Sequence, residues 1–313
     1  YSMGKDDQFD NQVMDWVKVI RNKAKMGAHP PGEFLVLDHL LHELRLFKSA
    51  GEIKLMEKAA NISAQGHKAA MACCKPGIKE YEMEAELLYA FTRNGSRAPA
   101  YNSIVAAGEN ACILHYSAND AEVKEGDLVL IDAGCEYGYY ASDITRTFPA
   151  TGKFSPEQKA IYEIVLAAQD AAIDAVAPGV SWDEPHKASV KVIAQGLVKL
   201  GLLKGKLSQL IKAEAYRDFY MHRVGHWIGM DVHDVGDYKI DDHWRLLEPG
   251  MVTTIEPGIY ISPENKKVEK RWRGIGVRIE DDVLVTKQGN KILSKGIPKT
   301  VEEIESFMSS ACK

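Results

Sequence analysis

Two ten-residue segments of this chain match each other, and the match limits the possible folds more than any other feature. Residues 125–134 read EGDLVLIDAG, and residues 249–258 read PGMVTTIEPG. In each segment a glycine turn leads into an apolar, β-branched strand that ends in a carboxylate, Asp132 or Glu256, before a small residue and a glycine. Such a repeat predicts two pseudo-symmetric half-domains that bring these carboxylates together. Chance similarity over ten residues is the alternative.

Strands and helices alternate along most of the chain, which predicts an α+β fold. Residues 10–26 show helical apolar spacing, and the sequence HPPG at residues 29–32 breaks any helix there. We interpret residues 1–47 as the end of a preceding domain with a connector, and residues 48–313 as the principal domain. Within it the patterns predict helices at residues 49–74, 80–93, 156–176 and 182–200, and strands at residues 127–131, 251–255 and 275–285.

Composition indicates a globular protein that binds neither nucleic acid nor membranes. The 313 residues can bury a sizeable core, the net charge is −5, and no basic cluster dominates. No apolar run approaches the ~20 residues that a bilayer-spanning helix needs. No signal peptide is visible, although a leader could have been lost. The odd, scattered set of cysteines indicates free thiols in a reducing cytoplasm; these are Cys73, Cys74, Cys112, Cys135 and Cys312.

Three acidic residues occupy positions where an ionised carboxylate is costly. Asp132 and Glu256 end apolar strands, and Glu280 stands among β-branched residues in VRIEDDVLV. Asp143 and Glu280 each lie on a predicted strand downstream of one copy of the repeat. A single acid of this kind more often caps a strand or pairs with a basic side chain. Several of them, two related by the repeat, point instead to a shared site.

Three histidines lie close together in the segment MHRVGHWIGMDVHD, namely His222, His226 and His233. A lone histidine is usually a satisfied polar residue, but three histidines spaced around two glycines favour a site over a regular helix. His115, in ILHYSAN just before the first acidic strand, is a fourth candidate.

The donor atoms of these side chains limit the metals that could bind. Oxygen-rich ligation with one imidazole favours Mn²⁺, Fe²⁺ or Co²⁺ over a structural zinc site, which would use thiolates. Four or five carboxylates around one ion would over-neutralise it, so two divalent ions fit better, with some carboxylates bridging. Two ions about 3.5 Å apart can hold a hydroxide as nucleophile and polarise a carbonyl group.

The motif set resembles that of the pita-bread metallopeptidases, the group of methionine aminopeptidase, prolidase and aminopeptidase P. The stretches RLFKSAGEI, GENACILHY and DVHDVG look most like bacterial aminopeptidase P. The resemblance covers residues 40–308 and implies pseudo-two-fold halves around a curved antiparallel sheet that carries the ligands. The family pattern is Asp, a second Asp eleven residues on, then His, Glu and Glu, and this chain matches it with Asp132, Asp143, His226, Glu256 and Glu280.

The resemblance also implies how these five residues share the metal ions. Asp132 would chelate one ion, and Asp143 and Glu280 would bridge both. His226 and Glu256 would complete the second ion, and Glu256 would also handle a proton of the reacting water. Mn²⁺ is the metal that the family leads us to expect.

Other side chains are implied to act on the substrate or to support the ligands. His115, His222 and His233 would line the pocket, contact the substrate and help stabilise the tetrahedral intermediate. Arg278 would orient a metal carboxylate, and Tyr260 would support the site. For Arg278 and Tyr260 the alternative is ordinary packing or pairing on a strand face.

The activity implied by the resemblance is that of an Xaa-Pro aminopeptidase. Such an enzyme hydrolyses the N-terminal peptide bond of peptides that have a free N-terminus and proline at the second position. Proline lacks an N–H and has a fixed φ, so a dedicated pocket is expected. Prolidase, which cleaves Xaa-Pro dipeptides and shares all five ligands, is the alternative.

Three other functions fit less well. Methionine aminopeptidases usually lack the preceding creatinase-like domain at which residues 1–47 hint. Non-enzymatic peptide-binding modules and creatinase-like hydrolases on the same fold lose metal ligands that this chain keeps. Full-length relatives carry an N-terminal domain that contributes oligomer contacts, so we expect the full-length protein to be a homo-oligomer.

Overall fold

The computed structural model describes residues 3–311, so Cys312 lies outside the described residues. The chain divides into two compact units, of which the first ends at Arg45 and the second begins at Leu46. The boundary predicted at residue 47 lies near this division. That the first unit is the end of a larger domain stays a prediction.

Eight α-helices and thirteen short β-strands make up the regular structure of residues 3–311. The helices are α1 (Asp7–Asn22), α2 (Leu37–Leu46), α3 (Ala50–Cys73), α4 (Glu80–Arg93), α5 (Pro156–Asp174), α6 (Glu184–Lys199), α7 (Leu207–Lys212) and α8 (Val301–Ala311). The strands are β1 (Ala98–Pro99), β2 (Ile104–Ala107), β3 (Leu128–Asp132), β4 (Cys135–Tyr137), β5 (Tyr140–Ala141), β6 (Thr145–Pro149), β7 (Lys239–Ile240), β8 (His243–Trp244), β9 (Val252–Ile255), β10 (Gly258–Ile261), β11 (Ile275–Arg278), β12 (Asp281–Thr286) and β13 (Gly289–Ile292).

The first unit contains α1 and most of α2. Asp6 caps α1 by accepting a hydrogen bond from the backbone N–H of Phe9 at 3.0 Å. The helix predicted at residues 10–26 begins and ends earlier than expected. It ends early because the chain tightens into a 3₁₀ turn at Ala24–Met26, which Gly27 closes with a φ of +83°.

The second unit repeats one order of elements. In the first half, α3 and α4 pack together and precede the sheet β2-β3-β6; in the second half, α5 and α6 pack together and precede the sheet β13-β12-β9. Every strand pair of the described chain is antiparallel. The predicted α+β fold is therefore confirmed, and the two copies of the sequence repeat supply β3 and β9 of the two halves.

The long helix α3 begins where its sequence signal predicts. The backbone N–H of Ser49 donates to Oε2 of Glu52 at 2.7 Å, and the N–H of Glu52 donates to Oγ of Ser49 at 3.4 Å. This reciprocal cap satisfies two backbone donors that have no partner within the helix. The start of α3 is therefore determined locally.

The strand predicted at residues 275–285 is two strands, because the chain changes sheets within it. β11 pairs with β10, whereas β12 pairs with β9 and β13. Between them the backbone N–H of Glu280 donates to the carbonyl oxygen of Thr145 at 3.0 Å. Glu280 and Asp143 therefore lie in links between strands, so the prediction that they lie on strands is wrong.

The packed interior of the second unit surrounds the strands that carry the acidic residues. Its principal cluster joins buried side chains of α3 to α6 with those of β3 and β11. A second cluster joins Trp182 and Trp227 with buried residues of β9 and β12. Both clusters hold strand residues that directly precede an acid, so packing positions the acids at the edge of the apolar interior.

Two glycines permit close backbone contacts beside the acidic strands. A Cβ atom at Gly134 would lie 1.7 Å from the carbonyl oxygen of Ser142, and one at Gly225 would lie 1.9 Å from that of Thr254. Because no side chain fits such spaces, only glycine allows these segments to meet. Each glycine is close in sequence to a predicted metal ligand, so these contacts position the site.

Candidate metal centre

The five predicted metal ligands come from separate segments of the second unit. Asp132 is the last residue of β3, and Glu256 directly follows β9. Asp143 lies in the link before β6, and Glu280 lies in the link between β11 and β12. The carbonyl oxygen of His226 accepts a hydrogen bond from the backbone N–H of Thr254 in β9 at 2.9 Å. Strand pairing and packing therefore bring together residues that are far apart in sequence.

A single cavity of about 260 Å³ collects nearly all of the predicted site residues. Tyr260 is the exception, because it is buried and does not line the cavity. The lining residues are Leu114, His115, Asp132, Asp143, His222, Arg223, Gly225, His226, His233, Glu256, Arg278 and Glu280.

The imidazole ring of His226 lies beside two of the acidic side chains. Its Nε2 atom lies 3.4 Å from Oδ2 of Asp143 and 3.6 Å from Oε1 of Glu256. Its Nδ1 atom donates to the carbonyl oxygen of Trp227 at 3.0 Å. Because a carbonyl oxygen only accepts hydrogen bonds, the proton resides on Nδ1 in the neutral ring, and the Nε2 lone pair faces the carboxylates.

Asp132 is held by two donors that leave little freedom to its carboxylate. Nη2 of Arg278 lies 2.6 Å from Oδ2 of Asp132, and the Tyr101 hydroxyl lies 2.6 Å from Oδ1. Arg278 also donates from Nε to Oγ1 of Thr145 at 3.2 Å, and Thr145 donates to Oε2 of Glu280 at 2.6 Å. Two of the acids are thus oriented through one buried arginine.

Tyr101 is a site residue that the sequence reasoning missed. Its hydroxyl lies 2.6 Å from Oδ1 of Asp132 and 2.5 Å from Oδ1 of Asp143, so its one proton can be donated to either carboxylate. Burial first, and then these two charges, hold the pKa of Tyr101 well above its usual value, so the hydroxyl keeps its proton. Tyr101 precedes β2 in a loop that carries no motif, and no sequence signal marks it.

A chain of hydrogen bonds runs from Arg278 to His222. Nη1 of Arg278 donates to the Tyr260 hydroxyl at 3.0 Å, and that hydroxyl lies 2.9 Å from Nε2 of His222. Nδ1 of His222 donates to the carbonyl oxygen of Arg223 at 2.8 Å, so Nε2 accepts the Tyr260 proton. Burial, followed by the charge of Arg278, lowers the pKa of His222 to about 3, so the ring is neutral.

Both nitrogens of His222 are therefore engaged within the protein. A substrate contact from this ring would require one of these bonds to break. His233, by comparison, packs its ring edge-to-face on His226, with centroids 4.4 Å apart and planes at 85°. Burial, followed by the charge of His226, lowers the pKa of His233. His233 and His115 thus remain the cavity imidazoles best placed to contact a substrate.

Burial and mutual repulsion dominate the electrostatics of the carboxylates. Burial, reinforced by neighbouring acids, holds the pKa of Glu280 well above its usual value, and burial raises that of Glu256 to about 7. Burial also acts to raise the pKa of Asp143, but His226, together with Tyr101 and Arg278, outweighs it and leaves that pKa lowered. Burial acts to lower the pKa of His226, but Asp143, Glu256 and the carbonyl oxygen of Trp227 together raise it to about 9.

These side chains fit divalent metal ions. One ligand atom each from Asp143, His226 and Glu280 lies within 4.8 Å of the other two. The cavity offers carboxylate oxygens and imidazole nitrogens, and no cysteine lines it within residues 3–311. Such donors suit Mn²⁺ and related ions. Added positive charge would also relieve the repulsion among the four acids, of which Asp143 and Glu280 are buried and Asp132 and Glu256 half-buried.

Within residues 3–311, no helix combines the length and the apolar character needed to cross a bilayer.

Comparison with known proteins finds one family over most of the chain. Residues 54–287 match the model of metallopeptidase family M24. The chain is 54% identical over 270 residues to an Xaa-Pro aminopeptidase of Haemophilus influenzae. The aligned region covers 86% of this chain and 62% of that protein. This chain thus spans less than two thirds of that relative.

Two solved structures are similar over nearly the whole chain. Pseudomonas aeruginosa aminopeptidase PepP is 62% identical with a TM-score of 0.96, over 99% of this chain and 70% of its own. Zinc-substituted Escherichia coli aminopeptidase P in complex with product is 46% identical with a TM-score of 0.95, over 100% of this chain and 71% of its own. These similarities confirm the predicted pita-bread fold.

Proposed function

The chain belongs to metallopeptidase family M24, and on that premise we propose that it carries the catalytic domain of an Xaa-Pro aminopeptidase. The proposed reaction is hydrolysis of the N-terminal peptide bond in peptides with a free N-terminus and proline at the second position. One observation carries the proposal, namely that four carboxylates, two buried and two half-buried, surround one cavity together with His226. Similarity to proteins named Xaa-Pro aminopeptidase and aminopeptidase P supports the choice of this reaction.

We propose that two divalent ions, most suitably Mn²⁺, bind in this cavity. Asp132 would hold one ion, Asp143 and Glu280 would hold both, and His226 and Glu256 would complete the second. The proximity of ligand atoms from Asp143, His226 and Glu280 supports joint binding of an ion by these three residues. When bound, the two ions supply an activated water and polarise the scissile carbonyl group.

Glu256 moves the proton of the reacting water in this proposal. Its two carboxylate oxygens lie 3.6 Å from Nε2 of His226 and 3.9 Å from Nδ1 of His222, at the wall of the cavity. Such a position lets a carboxylate accept a proton and return it to the leaving amine. Arg278 and Tyr101 support the reaction indirectly, because they fix the orientation of Asp132.

The acids and imidazoles of the cavity explain the proposed substrate. A cluster of carboxylates favours the ammonium group of a free N-terminus over an internal segment of a peptide. The proline ring can pack on the imidazole wall of His222, His226 and His233, and proline brings no backbone N–H that burial would leave unsatisfied. His115 and His233 are proposed to contact the substrate carbonyl groups.

Four peptides test this function in a single assay. Protein loaded with Mn²⁺ is expected to release alanine from Ala-Pro-Ala and to act poorly on N-acetyl-Ala-Pro-Ala and on Ala-Ala-Ala. Efficient release from Ala-Ala-Ala would indicate a general aminopeptidase. Cleavage of Ala-Pro without cleavage of Ala-Pro-Ala would indicate prolidase.

A matched pair of variants tests whether the cavity performs the reaction. Glu256→Gln removes the proposed proton carrier and is expected to abolish turnover. Glu214→Gln changes an exposed glutamate outside the cavity and is expected to leave turnover unchanged. Elemental analysis of the wild-type protein completes the test, because no bound metal and no cleavage of any peptide would favour a binding module.

The compartment and assembly of the protein are also proposals. Cys73, Cys112 and Cys135 are free thiols, which supports a reducing cytoplasm. We propose that the longer protein to which this domain corresponds is a homo-oligomer. Sedimentation of the full-length protein would measure its subunit number.

A further inference from the structure

The cavity contains a second cationic side chain that the proposed reaction does not use. Arg223 lines the cavity together with the acids and histidines. Its side chain is 43% exposed, whereas that of Arg278, the other arginine of the cavity, is 4% exposed. Arg278 is committed to Asp132, Tyr260 and Thr145 within the protein. Arg223 is therefore the arginine of this cavity that a ligand can reach.

Neighbouring side chains hold the Arg223 guanidinium in place. Nη2 of Arg223 donates to Oδ1 of Asp183. The guanidinium also lies over two indole rings, 4.5 Å from the centroid of Trp244 and 5.2 Å from that of Trp182. These two rings stack on each other, with centroids 5.6 Å apart. An arginine fixed in this way loses little side-chain entropy when it binds a ligand.

The support of Arg223 leaves part of its hydrogen-bonding capacity available. Within residues 3–311, Nε and Nη1 of Arg223 donate no hydrogen bond to protein. Asp183 does not serve Arg223 alone, because Nζ of Lys187 lies 3.2 Å from its other oxygen. A guanidinium with free N–H groups and a shared counter-ion is suited to a second, planar anion such as a carboxylate.

We propose that Arg223 binds a carboxylate of the substrate on the carboxyl-terminal side of the scissile bond. This inference rests on the proposed function, because the acids of the cavity are assigned to the substrate ammonium. An arginine would repel that ammonium, so a carboxylate recognised by Arg223 belongs to the other end of the peptide. Arg223 directly follows His222 in sequence and lines the same cavity, and His222 is assigned to the proline ring, so we assign Arg223 to the residue after proline.

Two sources can supply such a carboxylate. In a tripeptide it is the C-terminal carboxylate, and in a longer peptide it is an aspartate or glutamate side chain after proline. Both present the same planar anion to the guanidinium. The chain would therefore prefer short Xaa-Pro-Yaa peptides, acidic peptides, or both.

Three peptides distinguish these sources in kinetic assays with the Mn²⁺-loaded protein. Ala-Pro-Ala has a terminal carboxylate, Ala-Pro-Ala-amide has none, and Ala-Pro-Asp-amide has only the side-chain carboxylate. A charge-assisted hydrogen bond at a partly exposed site leads us to expect about tenfold higher kcat/KM for a carboxylate peptide than for Ala-Pro-Ala-amide. A preference for Ala-Pro-Ala identifies the terminus as the source, and one for Ala-Pro-Asp-amide identifies the side chain.

Variants of Arg223 connect this preference to the guanidinium. Arg223→Ala is expected to reduce the ratio of the two kcat/KM values to about one, chiefly through KM, and Arg223→Lys is expected to restore part of it. Lys239→Ala is the matched control, because Lys239 also lies over Trp244, 4.6 Å from the ring centroid, but does not line the cavity. The ratio of kcat/KM values in the Lys239→Ala variant is expected to match that of the wild-type protein.

A binding measurement tests the role of Arg223 without requiring catalysis. Calorimetry with the product dipeptide Pro-Ala and with Pro-Ala-amide is expected to show tighter binding of the free acid to the wild type, and no such difference in Arg223→Ala. Raising the salt concentration is expected to weaken the difference, because exposed charges are screened.

The outcomes separate this inference from the proposed function. Release of alanine from all three peptides at similar kcat/KM by the wild type would overturn the role of Arg223 and leave the proposed function standing. A preference that Arg223→Ala retains would overturn it as well. No release from any of the three peptides would instead contradict the proposed function.

Discussion

Replacement of Arg278 by leucine tests whether this arginine compensates a buried negative charge. The side chains of Arg278 and Asp132 are 4% and 13% exposed, and they meet at 2.6 Å. Leucine removes the cation and, among residues 3–311, leaves Asp132 with only the Tyr101 hydroxyl as a donor. Breaking a buried ion pair from one side typically costs about 3–5 kcal/mol, because the remaining charge has no counter-ion. We expect a loss of this size in the metal-free protein.

The pKa of Asp132 gives the physical reason for this cost. Burial raises that pKa, and the charge of Arg278 is the largest effect that opposes burial. Without Arg278 the carboxyl group either takes up a proton on folding or stays charged at a high cost. A second replacement, Asp132→Asn, removes the charge itself. The double variant is therefore expected to recover most of the stability that Arg278→Leu loses.

Urea unfolding of the metal-free variants measures these differences. The control is Arg217→Ala, since Arg217 forms an exposed pair with Glu214 at 56% and 57% exposure and is expected to change stability by less than about 0.5 kcal/mol. The m-values must agree across the series for the comparison to hold. A loss below about 1 kcal/mol for Arg278→Leu, or no recovery in the double variant, would refute the electrostatic reasoning.

Three further predictions concern metal binding and turnover. Asp143→Ala and Glu280→Ala are expected to lose bound metal and activity together. His233→Ala is expected to keep its metal and to lose roughly 10²–10³ in turnover rate. Equal metal loss in all three variants, measured by elemental analysis, would contradict the proposed roles of these residues. Tyr101→Phe removes the hydroxyl between two carboxylates and is expected to weaken Mn²⁺ binding about 10–100-fold, which calorimetry measures; unchanged affinity would show that the hydroxyl does not orient the ligands. The pKa of His226 is raised from 6.5 to about 9 in the metal-free protein, so its protonation contributes stability below pH 6.5 that is lost as pH rises through 9. Because the metal must displace that proton, the affinity for Mn²⁺ is expected to rise between pH 6.5 and about 9. An affinity that does not change with pH over this range would exclude His226 as a metal ligand.

The sequence alone determined the elements whose signals are local. The capping box at Ser49 predicted the start of α3, and the pattern at residues 80–93 predicted α4 with the bounds that the structure shows. The repeat predicted that Asp132 and Glu256 end related strands of two half-domains. The spacing of the acids and histidines selected a set of residues that the structure collects at one cavity. Neighbours along the chain are sufficient for such signals, because caps and periodicity act over a few residues.

The tertiary structure decided which of these side chains contact one another. The pattern at residues 275–285 is continuous in sequence, yet the chain changes sheets at Glu280, because β9 and β10 offer separate edges for pairing. The link that results, and not a strand, presents Glu280 to the cavity. Alternating apolar residues cannot reveal such a change, since both strands keep the same two-residue period.

The supporting residues of the site were also decided in three dimensions. Tyr101 reaches Asp132 across 31 positions of sequence and Asp143 across 42, and Arg278 reaches Asp132 across 146. The orientation of His222 depends on Tyr260, and the support of Arg223 depends on Asp183 and two tryptophans. A donor satisfies a buried carboxylate only if packing places it within hydrogen-bond distance, and that distance is a property of the folded chain and not of the spacing between residues.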